Sequence, residues 1–250
     1  MTAREFYLHF IAVRKCAGCG EILDPSHAEG ALCEKCLVLW NEATLVGCGD
    51  CFKPARECCC MPKLISDAGA LCLRKLFFYR SDAAYTPAMG VLYTHKNKKL
   101  ARVTDFVADR ISDAVADELD AIDPVNRSER VAVTFVPRRK RSRRLYGFDQ
   151  SELLARAISQ RLDMDFAKTF DTRFFSVAQK DLASRQRLSN ARKNIYLESA
   201  ERIKGKYVVL IDDVVTTGAS MSVCVKRLMD AGAVGVLCFC IAFNSAKSKK

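Results

Sequence analysis

The sequence predicts an α/β protein in which a mainly parallel sheet is flanked by helices and preceded by a small cysteine-rich module. Ten of the 13 cysteines fall within residues 1–72. Beyond them, short β-branched runs alternate with helical patterns, which is typical of parallel sheets with right-handed crossovers. We therefore assign residues 1–72 to the module, residues 73–246 to the α/β domain and residues 247–250 to a basic tail.

The first elements of the α/β domain are two helices and a strand. Leu100–Leu119 has apolar residues at helical spacing and predicts an amphipathic helix. Arg130–Pro137 is short, β-branched and ended by proline, which predicts a strand. Ser151–Leu162 follows as a helix that Ser151 or Asp149 could cap.

The C-terminal part of the domain repeats this alternation. Lys206–Ile211 is an apolar run of the kind that is buried on both faces of a parallel sheet. Ala219–Gly232 is predicted to be a helix that ends near its glycine, and Gly235–Phe243 to be another buried strand.

The formal net charge of +11 favours phosphate-bearing partners over acidic proteins, although solubility alone is also compatible with it. The first 20 residues lack the cleavage site of a signal peptide. No apolar run is long enough to span a bilayer, so we expect a cytoplasmic protein without a transmembrane segment.

The stretch VVLIDDVVTTGAS (Val208–Ser220) is the most informative in the chain. Two carboxylates, Asp212 and Asp213, follow a buried strand, and a small-residue turn then leads into a helix. Backbone N–H groups at a helix N-terminus bind anions, and Gly218 permits the tight turn. A ribose 5-phosphate suits both parts, because the carboxylates accept hydrogen bonds from its hydroxyls while the amides hold its phosphate.

Two other interpretations of this stretch are less consistent with the sequence. The magnesium-binding strand of a P-loop NTPase would need a G-x-x-x-x-G-K-[ST] motif upstream, and the chain has none. A strand that ends in two solvated aspartates before a capped helix is the plain structural alternative.

The stretch resembles, position by position, the motif by which type I phosphoribosyltransferases bind phosphoribosyl pyrophosphate (PRPP). The resemblance implies the fold of that family, with Asp212 and Asp213 as catalytic residues that hold the ribose hydroxyls. It implies a PRPP-binding set formed by Asp212, Asp213, Val214, Val215, Thr216, Thr217, Gly218, Ala219 and Ser220.

PRPP binding implies that a nucleophile displaces pyrophosphate, which Mg²⁺ normally accompanies. The run PRRKRSRR (Pro137–Arg144) follows a predicted strand, and its Arg138 and Arg139 are candidates for binding that pyrophosphate. A solvated basic loop or a nucleic-acid surface is the alternative. Gln179–Asn194 is either a mobile lid over the site or an exposed helix.

The wider sequence resembles ComF-type proteins, which are associated with competence for DNA uptake. VPRRKRSRRLYGFDQSELLARAI is similar to their V-P…G-F-N-Q…LLA segment, with Asp149 where Asn is usual. RFFSVAQKDLASRQRLSN is similar to their R…Q-x-x-L…R-x-x-N segment. The matching residues are Arg173, Gln179, Leu182, Arg187 and Asn190.

The cysteine spacing predicts a structural zinc site. CAGC (Cys16, Cys19) and CEKC (Cys33, Cys36) are two C-x-x-C knuckles, which together supply the four thiolates of a closed tetrahedral site. Disulfides and an iron–sulfur cluster are the weaker alternatives. Such a module stabilises a segment that lacks a core of its own, or binds single-stranded DNA or a partner protein.

A second zinc site is predicted from Cys48 and Cys51 together with two of the three consecutive cysteines that follow. Cys58 and Cys60 are favoured, because alternate residues of an extended chain face the same way. ComF-like proteins carry a comparable double arrangement. His27 is interpreted as a turn residue. The remaining cysteines are interpreted as core residues: Cys72, Cys224, Cys238 and Cys240.

Two functions stay open at this point. The chain is either an enzyme that transfers ribose 5-phosphate to an unidentified acceptor, or a non-catalytic protein that senses PRPP or binds single-stranded DNA. The ComF resemblance implies a role in DNA uptake during natural transformation, with other DNA-uptake proteins as partners.

Overall fold

The computed structural model of the chain describes residues 14–24, 30–79, 86–122, 130–173 and 184–244. The strands are β1 (Ala70–Phe78), β2 (Val131–Phe135), β3 (Asp165–Phe166), β4 (Phe170–Thr172), β5 (Ile195–Leu197), β6 (Tyr207–Val215) and β7 (Gly235–Phe243). Five of them form a parallel sheet in the order β1-β7-β6-β2-β3. The other two, β4 and β5, pair antiparallel in a small separate sheet. The predicted α/β fold class is confirmed.

Eight helices are described in these residues. They are α1 (Glu34–Leu45), α2 (Lys63–Asp67), α3 (Pro87–Asn97), α4 (Ala101–Ile122), α5 (Lys140–Tyr146), α6 (Gln150–Arg161), α7 (Ser184–Asn194) and α8 (Ala219–Asp230). Local chemistry explains several of the boundaries. Thr86 caps α3 ahead of a proline in its first turn, and the Asp149 carboxylate caps α6 through the N–H groups of Ser151 and Glu152.

Three predicted elements differ from the structure. The strand predicted to end at Ile211 continues to Val215, so that both acidic residues lie inside β6 rather than after it. The basic run after β2 is not a loop, because Lys140–Tyr146 forms α5. In the predicted lid, residues 184–194 form α7, and residues 179–183 lie outside the described residues.

The cysteine-rich segment shares its core with the sheet. Trp40 of α1 is 1% exposed and meets Phe77 and Phe106 edge-on, at ring-centroid distances of 5.6 and 5.1 Å. Strand β1 begins at Ala70, within the range assigned to the module. Burial of aromatic area at this contact stabilises both parts of the chain together.

The four cysteines interpreted as core residues are all buried, which confirms that interpretation: Cys72, Cys224, Cys238 and Cys240. His27 lies outside the described residues. Within the described ranges, no helix combines the length and the apolar character that crossing a membrane would need.

Candidate functional site

The acidic pair lies at the carboxyl edge of the parallel sheet, where the end of β6 meets the first turn of α6. Ligands of open α/β sheets bind at this edge, because loops and helix N-termini converge there. Asp213 is 6% exposed, whereas Asp212 is only partly buried. The Ser151 hydroxyl donates to Asp212 Oδ1 over 3.4 Å, which connects α6 to the first acid as well.

Asp213 is held by three donors from three parts of the chain. Gln150 Nε2 donates to its Oδ2 over 2.9 Å, and the Lys96 ammonium lies 3.2 Å from the same oxygen. The backbone N–H of Val214 donates to Oδ1 over 2.7 Å. Helices α3 and α6 therefore fix the direction in which this carboxylate faces.

The two acids differ in acidity because their neighbours differ. Burial, together with the neighbouring Asp213 carboxylate, raises the pKa of Asp212. Burial also opposes ionisation of Asp213, but the Lys96 ammonium and the Gln150 amide outweigh it, so the pKa of Asp213 is lowered. The pair therefore carries one firmly ionised carboxylate and one that binds a proton more readily.

Gln150 and His95 each contribute a buried polar atom that is not satisfied within the described residues. Gln150 Oε1 and His95 Nε2 have no hydrogen-bond partner there, although both side chains are at most 5% exposed. Burial lowers the pKa of His95 to about 4 in spite of the nearby Asp213, so this imidazole is neutral at pH 7. Orphaned buried polar atoms beside a carboxylate are typical of a site that receives a ligand or a water.

The turn after the acids has the geometry that an anion site needs. Gly218 has φ +75° and precedes α8, whose first N–H groups have no intrahelical acceptor. Thr216 is exposed and Thr217 is partly buried, whereas Gly218 and Ala219 are buried, so solvent reaches the turn from the Thr216 side. On its inner side a Cβ at Gly218 would lie 2.7 Å from Ile65 Cγ1, which shows how closely α2 approaches the turn.

Arg138, a candidate for binding pyrophosphate, contacts α3, α5 and the cap of α6. Its backbone N–H donates to Asp149 Oδ2 over 2.6 Å, and its guanidinium carbon lies 4.2 Å from the Tyr146 ring centroid. The guanidinium also donates to the Lys96 carbonyl oxygen over 3.3 Å. Arg138 and Lys96 are therefore neighbours at this edge of the sheet.

Two further cations of the basic run bind an acidic residue outside the predicted site. Arg143 and Lys140 contact the Asp171 carboxylate at 2.6 and 3.0 Å, which joins α5 to the small sheet. The sequence does not identify three residues that contact the acidic pair: Lys96, Gln150 and Ser151. Gln150 belongs to the GFDQ segment quoted above, but no local pattern pairs it or Lys96 with Asp213.

The first cysteine cluster brings together Cys16, Cys19, Cys33 and Cys36, whose sulfur atoms all lie within 4.8 Å of one another. Cys19 Sγ and Cys33 Sγ are 3.9 Å apart. The N–H groups of Gly18 and Cys33 each donate to Cys16 Sγ over 3.3 Å. These donors outweigh the effect of burial and lower the pKa of the Cys16 thiol to about 7.

The second cluster consists of Cys48, Cys51, Cys58 and Cys60, whose sulfur atoms also lie within 4.8 Å of one another. Cys51 Sγ and Cys58 Sγ are 3.6 Å apart. The middle cysteine of the consecutive three, Cys59, is exposed and points elsewhere, 3.3 Å from Arg74 Nη1. This is the selection expected from the alternation of an extended chain.

The chemistry of both clusters fits a structural metal ion. Thiolates are soft ligands that suit Zn²⁺, and tetrahedral Zn–S bonds place the sulfur atoms about 3.8 Å apart. The backbone N–H groups that face Cys16 and Cys48 stabilise thiolate charge, as at Asp50 N, 3.4 Å from Cys48 Sγ. Each cluster could therefore hold one zinc ion.

The second cluster is connected to the turn at Gly218 by a short stretch of chain. The buried Lys75 of β1 donates to the Cys60 carbonyl oxygen over 2.7 Å. Two residues further on, Pro62 precedes α2, and a Cβ at Gly218 would lie 3.2 Å from Pro62 Cβ. The cysteine-rich segment thus supports the inner side of the candidate phosphate turn.

A comparison with protein families matches residues 149–250 to the phosphoribosyl transferase domain. The DNA utilization protein YhgH of Escherichia coli (strain K12) is 33% identical over 96 residues, which is 38% of this chain and 41% of that protein. Its Salmonella typhi counterpart is 32% identical over the same length and the same shares of both chains. The chain therefore spans less than half the length of these curated relatives.

Solved structures are similar at a lower level. The purine phosphoribosyltransferase of Pyrococcus horikoshii is 19% identical over 55% of this chain and 73% of its own, with a TM-score of 0.34. A hypoxanthine phosphoribosyltransferase of Trypanosoma cruzi is 11% identical over 59% and 71%, with a TM-score of 0.38. These likenesses are too weak to assign an activity.

The comparisons confirm the similarity to phosphoribosyltransferase-type proteins that the sequence predicts. Residues 149–250 match the phosphoribosyl transferase domain, the curated relatives named above are DNA utilization proteins, and two cysteine clusters precede the matched residues.

Proposed function

We propose that the chain binds PRPP at the end of β6 and transfers its phosphoribosyl group to an acceptor with release of pyrophosphate. The single observation that carries this proposal is the combination, at one sheet edge, of an oriented acidic pair and the turn Thr216–Ser220, whose first residue is exposed and which leads into the N-terminus of α8. The domain match over residues 149–250 supports the same reaction class.

In this proposal the residues divide the substrate between them. Asp212 and Asp213 accept hydrogen bonds from the ribose hydroxyls, and the amides that follow Val214 and Val215 receive the 5′-phosphate. Mg²⁺ bound together with PRPP would supply charge neutralisation for the pyrophosphate leaving group. Positive charge develops at the ribose carbon in the transition state, and the ionised Asp213 stabilises it by electrostatics that are in place beforehand.

Calorimetry with PRPP and Mg²⁺ tests the binding step directly. We expect saturable binding, and competition from ribose 5-phosphate. Pyrophosphate release measured with amines, free bases and nucleic-acid fragments as acceptors then separates an enzyme from a sensor. Binding without turnover across all acceptors would favour the non-catalytic role, and absence of binding would refute the proposal.

Binding of single-stranded DNA is a second candidate function, favoured by the surface of α5. Arg141 and Arg144 are exposed there beside Leu145 and Tyr146, which are 76% and 39% exposed. Cations interleaved with an aromatic ring suit a nucleic-acid strand. Affinity for an oligonucleotide should fall steeply between about 50 and 200 mM salt. An affinity insensitive to salt would contradict the electrostatic basis of this candidate.

We further propose that zinc is structural, that the chain is cytoplasmic, and that it acts in DNA uptake with other proteins of that process. The names of the curated relatives support a role in DNA utilization.

A further inference from the structure

Lys96 is the cation that contacts the acidic pair within the described residues. Its ammonium lies 3.2 Å from Asp213 Oδ2, and its side chain is 38% exposed. It belongs to the last turn of α3, outside residues 149–250 and outside the basic run that the sequence singles out. The candidate site therefore extends into a part of the chain that the domain match does not cover.

The contact of Lys96 with Asp213 occupies the place that a ribose hydroxyl needs. Asp213 accepts from Gln150 and Lys96 at Oδ2 and from the Val214 N–H at Oδ1, so three of about four acceptor positions are filled. Gln150 is buried and the Val214 donor is backbone. The long, partly exposed side chain of Lys96 is thus the donor that can leave without local unfolding.

An unsatisfied acceptor marks the same place. Gln150 Oε1 is buried without a partner in the described residues, while the Nε2 of the same amide donates to Asp213. A ligand hydroxyl at this position would give Gln150 the donor that it lacks. Departure of Lys96 and arrival of a hydroxyl are therefore complementary events.

A polyanion would draw Lys96 away from Asp213. The Arg138 guanidinium donates to the Lys96 carbonyl oxygen, which places a second cation against the last turn of α3 that carries Lys96. Pyrophosphate carries several negative charges, whereas Asp213 carries one, and ammonium groups bind phosphate oxygens strongly. The neighbouring His95 is neutral at pH 7 and does not compete for that anion.

We propose that Lys96 binds the pyrophosphate of PRPP, and that on substrate binding its ammonium exchanges Asp213 for that group. This inference rests on the proposed PRPP function. It adds a pyrophosphate-binding residue from α3, and it makes the freeing of Asp213 conditional on a ligand that carries pyrophosphate. Ribose 5-phosphate, which lacks that group, must displace Lys96 without compensation.

The test compares Lys96→Met with Lys99→Met in the full chain. Lys99 is exposed three residues further on, so its variant carries the same change in charge and shape. Calorimetry with PRPP, ribose 5-phosphate and pyrophosphate, each with Mg²⁺, measures three affinities per variant. Lys96→Met should weaken binding of PRPP and pyrophosphate roughly tenfold or more, the range of a hydrogen bond between charged groups. It should tighten binding of ribose 5-phosphate, because Asp213 is then already free.

The opposite directions of these changes exclude a merely structural role. Equal weakening of PRPP and ribose 5-phosphate would overturn the inference, because it would mean that Lys96 only holds Asp213 in place. Unchanged affinities would overturn it too. Lys96→Arg should restore most of the PRPP affinity, and thermal unfolding checks that each variant is folded. If the wild-type chain binds neither sugar phosphate, the proposed function itself fails.

Discussion

Gln150 donates a 2.9 Å hydrogen bond to Asp213, which ties the first residue of α6 to the end of β6 although 62 residues separate them in sequence. The contact fixes the carboxylate while leaving the other atom of the amide, Oε1, unsatisfied. Gln150 therefore orients the Asp213 carboxylate and also offers an unsatisfied acceptor, which suits a site that binds a hydroxylated ligand.

Replacing Asp213 by Asn should weaken binding of ribose 5-phosphate at least roughly tenfold, because a charged acceptor of the ribose hydroxyls is lost. Calorimetry measures the affinity, and metal analysis with circular dichroism checks that the fold and zinc content are kept. Asp230→Asn makes the same chemical change on the surface of α8 and should have no effect. Equal affinities for the two variants would rule out the hydroxyl-binding role.

The free energy of unfolding should depend on pH through Asp149, the cap of α6. Burial raises the pKa of this carboxyl to about 6, against a reference value of 3.8. Between these values the folded protein keeps a proton that the unfolded chain has lost, so raising the pH opposes folding. The stabilisation is complete below about pH 4 and is lost as the pH rises through 6.

Asp149→Asn removes this titration, and Asn is the residue usual in ComF-type proteins. Between pH 4 and 7 the free energy of unfolding of the wild type should fall relative to that of the variant, by about 3 kcal/mol at most. Urea unfolding at several pH values measures it. Parallel pH curves for the two proteins would show that Asp149 does not titrate as its burial implies.

Gly218→Ala should damage the phosphate turn in two ways. Alanine at φ +75° is strained by about 1–2 kcal/mol, and its Cβ would also lie 2.7 Å from Ile65 Cγ1. Gly205→Ala is the matched control, because Gly205 has φ +73° with open space around its Cβ position. We expect Gly218→Ala to lose more stability than the control, and to lose PRPP affinity, which the control should keep.

The close approach of Ile65 can be tested in the same background. Ile65→Ala alone should cost about 2–5 kcal/mol as a cavity in the core. Combined with Gly218→Ala it should cost less than the sum of the single changes, because the clash is removed. Strict additivity would indicate that α2 moves away from the turn without resistance.

Cys58→Ser should reduce the zinc content of the purified protein by one ion, whereas Cys59→Ser should leave it unchanged. The sulfur of Cys58 lies in the second cluster, while that of Cys59 faces Arg74. Atomic spectroscopy on protein prepared without chelator measures the difference. Equal losses in both variants would mean that the three consecutive cysteines exchange as ligands.

The residues that the sequence could predict are those whose chemistry is local. The strand Gly235–Phe243 matches β7 to the residue, because a long apolar run has one stable environment in an α/β fold. The cysteine clusters also follow from local spacing. Alternation along an extended chain is enough to distinguish Cys58 and Cys60 from Cys59.

The contacts that the sequence could not predict join distant segments. Lys96 reaches Asp213 only because α3 and β6 end at the same edge, and a single lysine in a basic chain has no distinguishing pattern. The basic run was conspicuous, yet Arg143 and Lys140 bind Asp171, an acid that no motif marks. A high density of positive charge in the sequence therefore does not identify Lys96 as the cation that contacts Asp213.

Trp40 is the chain's single tryptophan, and it packs from α1 against the aromatic rings of Phe77 in β1 and Phe106 in α4. Its fluorescence therefore reports on the contact between the cysteine-rich segment and the α/β domain. Removing metal from the cysteine clusters and denaturing the sheet should each shift the Trp40 emission maximum to longer wavelength. If the cysteine-rich segment detaches first, a chelator alone will produce that spectral change while the far-ultraviolet signal of the helices and strands persists.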